Sequence, residues 1–105
     1  MSRVSTHVLD TTRGRPAAGI IVKLFHAGRL IGSSVTDADG RCPNLLPGGF
    51  PLHPGAYRLL FEVATYFPDG FYPEVSVSFQ VNEDTRHYHV PLLISAFGYT
   101  TYRGS

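Results

Sequence analysis

Three histidines, one arginine and the last four residues hold the side chains with which this chain could do chemistry. His7 lies inside the apolar run Val4-Ser5-Thr6-His7-Val8-Leu9, and His87 and His89 flank Tyr88 in His87-Tyr88-His89-Val90-Pro91-Leu92-Leu93. An imidazole changes charge near neutral pH, which suits a general base or acid. Two histidines separated by one strand residue share a face, with backbones roughly 7 Å apart. That spacing fits a base beside a helper, or two ligands of one metal; with His7 the set reaches the three ligands of a catalytic zinc site. No Cys, Asp or Glu stands at a telling spacing to complete a metal site, so base chemistry and zinc chemistry both stay open. Arg41 follows the turn signal Asp39-Gly40 and opens a proline-rich stretch. A guanidinium fixed between a turn and prolines is preorganised to hold an oxygen-rich group. Plainer uses exist for each: His7 as a bonded group at a subunit interface, His87 as a solvated residue beside a turn, Arg41 as a surface cation. His26 and His53 read as loop or strand-end residues. Cys42 lacks a partner motif for nucleophilic catalysis. There is no Gly-x-Ser-x-Gly, phosphate loop or dinucleotide fingerprint.

These residues need a scaffold, and the composition narrows it. A chain of 105 residues implies one domain, 1–105, burying on the order of 65% of its unfolded surface. Hydrophobic residues make up 43% and charged residues 16%, a low charge content that points to surface covered by partner subunits. The net charge of +1 gives no footprint for nucleic acid or an anionic membrane. All basic residues but Lys23 are Arg, which favours bidentate contact with carboxylates or similar ligands; a GC-rich genome produces the same bias. With Cys42 as the only cysteine, no intramolecular disulfide forms. No leader-like or membrane-length apolar stretch is present, so cytoplasmic residence is the default expectation.

Helical periodicity is absent. Short alternating or apolar runs are separated by Gly, Pro, Asp and Asn, which predicts an all-β sandwich or barrel. Strands are expected at 4–10, 20–26, 30–36, 57–66, 74–81, 87–94 and 99–103, with a short one near 44–46. Residues 11–16, 37–40, 67–73, 82–86 and 95–98 read as loops or turns, with Gly14, Gly19 and Gly40 as turn glycines. Tyr57, Leu59, Phe61 and Val63 should share one face, as should Val75, Val77, Phe79 and Val81. Pro91 within a strand argues for an edge or a bulge. The last strand, rich in β-formers, suits sheet extension between subunits.

Taken together, the motifs resemble one family. Ser5-Thr6-His7-Val8-Leu9-Asp10-Thr11 with Gly14-Arg15-Pro16-Ala17 resembles the opening signature of the 5-hydroxyisourate hydrolases, the transthyretin-related proteins of urate breakdown. Asp39-Gly40-Arg41-Cys42-Pro43 resembles their central motif. His87 to Leu93 and the terminal Tyr102-Arg103-Gly104-Ser105 resemble their third and fourth. The likeness runs in register from residue 4 to residue 105, and the terminal tetrapeptide separates the hydrolases from transthyretin, the hormone carrier.

The resemblance implies a transthyretin-like sandwich of two four-stranded sheets. It implies a homotetramer, a dimer of edge-paired dimers, with active sites where the dimers meet. It implies catalytic roles for His7, Arg41 and His89, substrate contacts from Tyr102, Arg103, Gly104 and Ser105, and neither metal nor organic cofactor. The substrate would be 5-hydroxyisourate, a small molecule, opened at its N1–C6 amide; a carrier of a planar molecule in a central channel is the alternative. Relatives of this kind often carry a short helix between the strands that here end near Tyr66 and begin near Glu74. Only seven residues, 67–73, remain, so that helix is expected to be reduced or absent.

Overall fold

The computed structural model describes residues 4–82 and 87–105. Its strands are β1 (Val4–Asp10), β2 (Arg15–Pro16), β3 (Ile21–His26), β4 (Arg29–Val35), β5 (Gly55–Glu62), β6 (Val75–Val81), β7 (Tyr88–Ile94) and β8 (Tyr99–Thr101). They form two four-stranded sheets, ordered β2-β1-β7-β8 and β4-β3-β5-β6. The expected sandwich of two four-stranded sheets is borne out. All ladders are antiparallel except β1 with β7, which is parallel.

Alternation decides what is buried. Val4, Thr6, Val8 and Asp10 of β1 point inward, while Ser5, His7 and Leu9 point out. Tyr57, Leu59 and Phe61 of β5 are buried, as are Tyr88, Val90, Leu92 and Ile94 of β7. Val75 and Val81 are buried on β6, with Val77 and Phe79 partly covered against the same core. Burying such side chains is the main source of the fold's stability, at about 1.5–3 kcal/mol for each large apolar group.

The inward Asp10 is the one buried charge of β1. Its Oδ1 accepts the Thr12 and Arg13 amides at 2.9 and 3.0 Å. Its Oδ2 accepts Arg13 Nη1 at 2.9 Å and the Tyr66 hydroxyl at 2.6 Å. Burial by itself would raise the carboxyl pKa, but the bonds from Tyr66, Arg13 and Thr12 outweigh it and hold the pKa below its ordinary value.

Several boundaries differ from those expected. Residues 15–16 pair with Leu9 and Asp10 instead of looping freely, because Gly14, at φ 68°, returns the chain beside β1. Residues 44–46 form a turn, not a strand. Leu45 and Leu46 are buried without a ladder, and the Leu45 carbonyl packs against Gly32, where any Cβ would collide. The long strand expected over 57–66 stops at Glu62, and Val63–Thr65 make one 3₁₀ turn. That turn lets the Tyr66 and Phe67 amides both bond Val63 O, at 2.9 and 2.8 Å, and carries the Tyr66 hydroxyl to Asp10. It is the only helical segment among the described residues, in keeping with the expected reduction. The last strand ends at Thr101, not Arg103. Of the turn expected at 82–86, residues 83–86 lie outside the described residues.

Pro91 sits in an inner strand, not at an edge or a bulge. The carbonyls of His89 and Pro91 face the β8 side, accepting Gly104 N at 2.9 Å and Thr101 Oγ1 at 2.7 Å. The β8 ladder begins only at Leu92. The missing donor of Pro91 therefore falls in the gap between ladder and bridge, where a proline costs no bond.

Candidate active site

The parallel ladder is what assembles the site. It pairs Ser5 with His89 and His7 with Pro91, so the outward residues of β1 and β7 stand side by side. On the other flank of β1, an isolated antiparallel bridge joins His7 to Arg41. A second joins His89 to Gly104. Four motifs remote in sequence thus meet around these two strands.

Arg41 is held by its turn. Asp37 Oδ1 accepts the Asp39 and Arg41 amides at 2.9 and 3.1 Å, and Asp37 N donates to Arg41 O at 2.8 Å. Gly40, at φ 76°, gives its carbonyl to Val8 N at 2.8 Å, and a Cβ there would lie 2.4 Å from Val8 O. Only glycine allows this approach, which sets Arg41 opposite His7. The Arg41 guanidinium forms no ion pair among the described residues, so it is available to a ligand.

The two outward histidines are oriented differently. His7 Nε2 lies 2.7 Å from Asp39 O. A carbonyl only accepts, so His7 carries its proton on Nε2 and, when neutral, presents a lone pair at Nδ1. His89 is half-buried, with Nδ1 2.7 Å from Ser5 Oγ. Its pKa is lowered first by burial, then by the nearby charges of Arg41, His87 and His7. The neutral imidazole is favoured, as a general base at neutral pH requires.

The terminal residues divide. Gly104 packs on the His89 ring. The Arg103 guanidinium lies 5.2 Å from the centre of the Tyr88 ring, and Tyr88 points to the core side, opposite His89. Arg103 and Tyr102 line a cavity of about 280 Å³ with Phe79, Tyr88 and His89, at the free edges of β6 and β8. His89 is shared with the outward face, but His7 and Arg41 do not line this cavity. Ser105 is exposed.

His7, His87 and His89 do not converge as a metal site. No group of three or more His, Cys, Asp or Glu among the described residues is arranged to hold an ion; His87 and His89 instead both meet Ser5. The buried Cys42, its thiol pushed up to about 11 mainly by burial, is poorly suited to act as a nucleophile. Ser5, Asp37 and the Asp39 carbonyl were not singled out from the sequence. Strand alternation does put Ser5 on the face of His7, but the register joining it to His89 has no local signal.

Residues 4–104 match the model of the HIUase/Transthyretin family. The chain belongs to that family. It is 42% identical to the 5-hydroxyisourate hydrolase of Mus musculus, over 99% of this chain and 96% of the relative. It is 44% identical to the "Uric acid degradation bifunctional protein TTL" of Arabidopsis thaliana, over 97% of this chain, and spans only 37% of that longer protein. The Klebsiella pneumoniae 5-hydroxyisourate hydrolase structure superposes with a TM-score of 0.86 at 34% identity, covering 97% of this chain and 92% of the other. Sea bream transthyretin in complex with thyroxine also superposes with a TM-score of 0.86, at 32% identity, covering 98% and 95%. In the HIUase/transthyretin family, then, backbone shape does not separate hydrolase from carrier, and the side chains of the site must.

Proposed function

We propose that this chain hydrolyses 5-hydroxyisourate at its N1–C6 amide, giving 2-oxo-4-hydroxy-4-carboxy-5-ureidoimidazoline. The carrying observation is the pair of bridges, His7 to Arg41 and His89 to Gly104, which gather two imidazoles and a free guanidinium on one face. His7 and His89 activate water and move the proton to the leaving nitrogen. Arg41 holds the oxygen-rich substrate and the negative charge growing on its carbonyl oxygen. Residues 102–105 close the site, and no metal or organic cofactor takes part. Curated relatives named as 5-hydroxyisourate hydrolases, matched along nearly the whole chain, support the substrate.

The working form is a homotetramer of the single domain 1–105. Support comes from exposed apolar rings: Phe71, Tyr72 and Tyr99 form an edge-to-face series with centres 4.9 and 5.1 Å apart, and Phe97 is 76% exposed. The unpaired edges of β6 and β8 lie nearby. Such a surface suits contact with further copies. No helix among the described residues is long and apolar enough to cross a membrane; the cytoplasm is the proposed location.

The likeness to transthyretin favours a second reading, a carrier of a planar molecule. Two histidines and an arginine on the face argue against it, since a site for an apolar ligand uses few titratable groups. The deciding experiment follows the ultraviolet decay of freshly generated 5-hydroxyisourate. Decay far above the spontaneous rate at catalytic protein concentration supports the hydrolase. Decay at the spontaneous rate from folded protein, with binding of a planar phenol, supports the carrier.

A further inference from the structure

Ser5 Oγ stands 2.7 Å from His89 Nδ1 and 2.7 Å from His87 Nε2. The three groups form a continuous line from a half-buried imidazole to an exposed one. A serine hydroxyl has one proton and two lone pairs, so it donates to only one of these nitrogens. If it donates to His87 Nε2, it accepts the N–H of His89 Nδ1, and His89 keeps a lone pair at Nε2. Ser5 meets the His89 ring both through this hydroxyl at Nδ1 and through its main chain. The reverse order would put the His89 proton on Nε2 and leave its lone pair at Nδ1, where it accepts the Ser5 hydroxyl and cannot serve as a base toward water.

We propose that Ser5 is a positioning residue that holds the His89 proton on Nδ1, and that Ser5 and His87 together form the relay by which a proton leaves His89 for solvent. The inference rests on the hydrolase reading and deepens it, because it makes His89, not His7, the base toward water.

The chemistry calls for such an exit. Opening a cyclic amide with water adds hydroxide to C6, breaks N1–C6 and puts one proton on N1. The acid formed then ionises at neutral pH, while a ureido nitrogen is too weakly basic to take that proton up. Each turnover therefore releases one net proton. In the relay, water gives one proton to His89 Nε2, His89 Nδ1–H passes to Ser5 Oγ, the Ser5 proton passes to His87 Nε2, and His87 Nδ1–H goes to bulk water. The second proton of that water, left on the new C6 hydroxyl, passes by way of His7 to N1 as the N1–C6 bond breaks, so that the product leaves as a carboxylate. Every group returns to its starting proton count once the tautomers reset. Direct escape from His89 is hindered because Gly104 packs against its ring, whereas His87 is exposed on the single subunit.

The test uses full-length protein and the variants Ser5→Ala, Ser5→Thr and His87→Ala. Nitrogen-15 NMR of the neutral His89 ring reads its tautomer without reference to catalysis. The wild type should carry the proton on Nδ1, and Ser5→Ala should lose that preference. In the decay assay, Ser5→Ala should lower kcat about tenfold or more with KM changed less than about twofold, and Ser5→Thr should recover most of the loss. His87→Ala, at an exposed position, should slow turnover in dilute buffer and be rescued by added imidazole. An Nε2–H tautomer in the wild type overturns the relay. So does a Ser5→Ala enzyme with wild-type kcat, or a His87→Ala enzyme indifferent to imidazole. If the wild type fails to hydrolyse 5-hydroxyisourate, the functional reading falls, and the tautomer alone still decides whether Ser5 orders His89 as stated.

Discussion

The main chain of Gly104 lies so close to the His89 ring that a Cβ at position 104 would sit 2.4 Å from Cδ2 and 3.1 Å from Cγ. Glycine is needed here for closeness, and the imidazole is held between this contact and Ser5. Gly104→Ala should therefore push the ring out of line. Displacements of this size cost up to about a hundredfold in rate. We expect kcat to fall by about tenfold to a hundredfold with little change in melting temperature. A large drop in melting temperature at near-normal kcat would assign Gly104 to structure instead.

His89→Ala and His7→Ala should each lower kcat by at least about a hundredfold, the low end for loss of a general acid or base. Arg41→Lys keeps the charge but loses the planar fork, and should cost about a hundredfold, as for an oxyanion donor. Single-turnover kinetics on folded protein checks all three. Near-normal rates in both histidine variants would remove them from the mechanism.

The acid limb of the kcat/KM profile should lie below pH 6.5, the ordinary histidine value. Burial first, and then the charges of Arg41, His87 and His7, lower the His89 pKa. The base is active when neutral, so activity is complete above the ordinary value and is lost as pH falls through the lowered one. Arg41→Met removes one of those charges and should move the limb upward. A wild-type limb above 6.5 would contradict His89 as the base.

Tyr66→Phe should destabilise the fold by about 1–3 kcal/mol, because it leaves Asp10 Oδ2 short of a donor in a buried place. The sign with pH follows from the lowered Asp10 pKa. Its contribution is present above the ordinary value of 3.8 and is lost as pH falls through the folded value. The variant should lose part of that protection and unfold at a higher pH than the wild type. Urea midpoints measured from neutral to acid pH test this.

Much of the fold was legible because alternation is a strong signal when one face is buried. The run from Val75 to Val81 declares its inward face residue by residue, and β1 was bounded without error. Failures occurred where a distant partner decided the outcome. Nothing local in Val63-Ala64-Thr65 says that the strand must stop so that Tyr66 can reach Asp10, 56 residues away. Arg15 and Pro16 become a strand only because Gly14 returns them to β1. The expected eight strands were reached with a false one at 44–46 in place of this short pair. At the site, residue type and motif pointed to His7, Arg41 and His89, but Ser5 emerged only from the β1–β7 register. Pro91 misled because a proline marks a missing bond, and the gap beside β8 supplies that without an edge.

The parallel pairing of β1 with β7 also bears on how the protein comes into being. Ser5 and His89 are 84 residues apart, so joining them requires closure of nearly the whole chain, a slow kind of contact. β3, β4, β5 and β6 are linked by shorter connections and can pair while the chain is still being made. A nascent chain that has not yet emitted β7 therefore holds one half of the sandwich and a β1 paired only with the two residues of β2. The reactive face is among the last parts to form, and it does not exist in any partly synthesised chain.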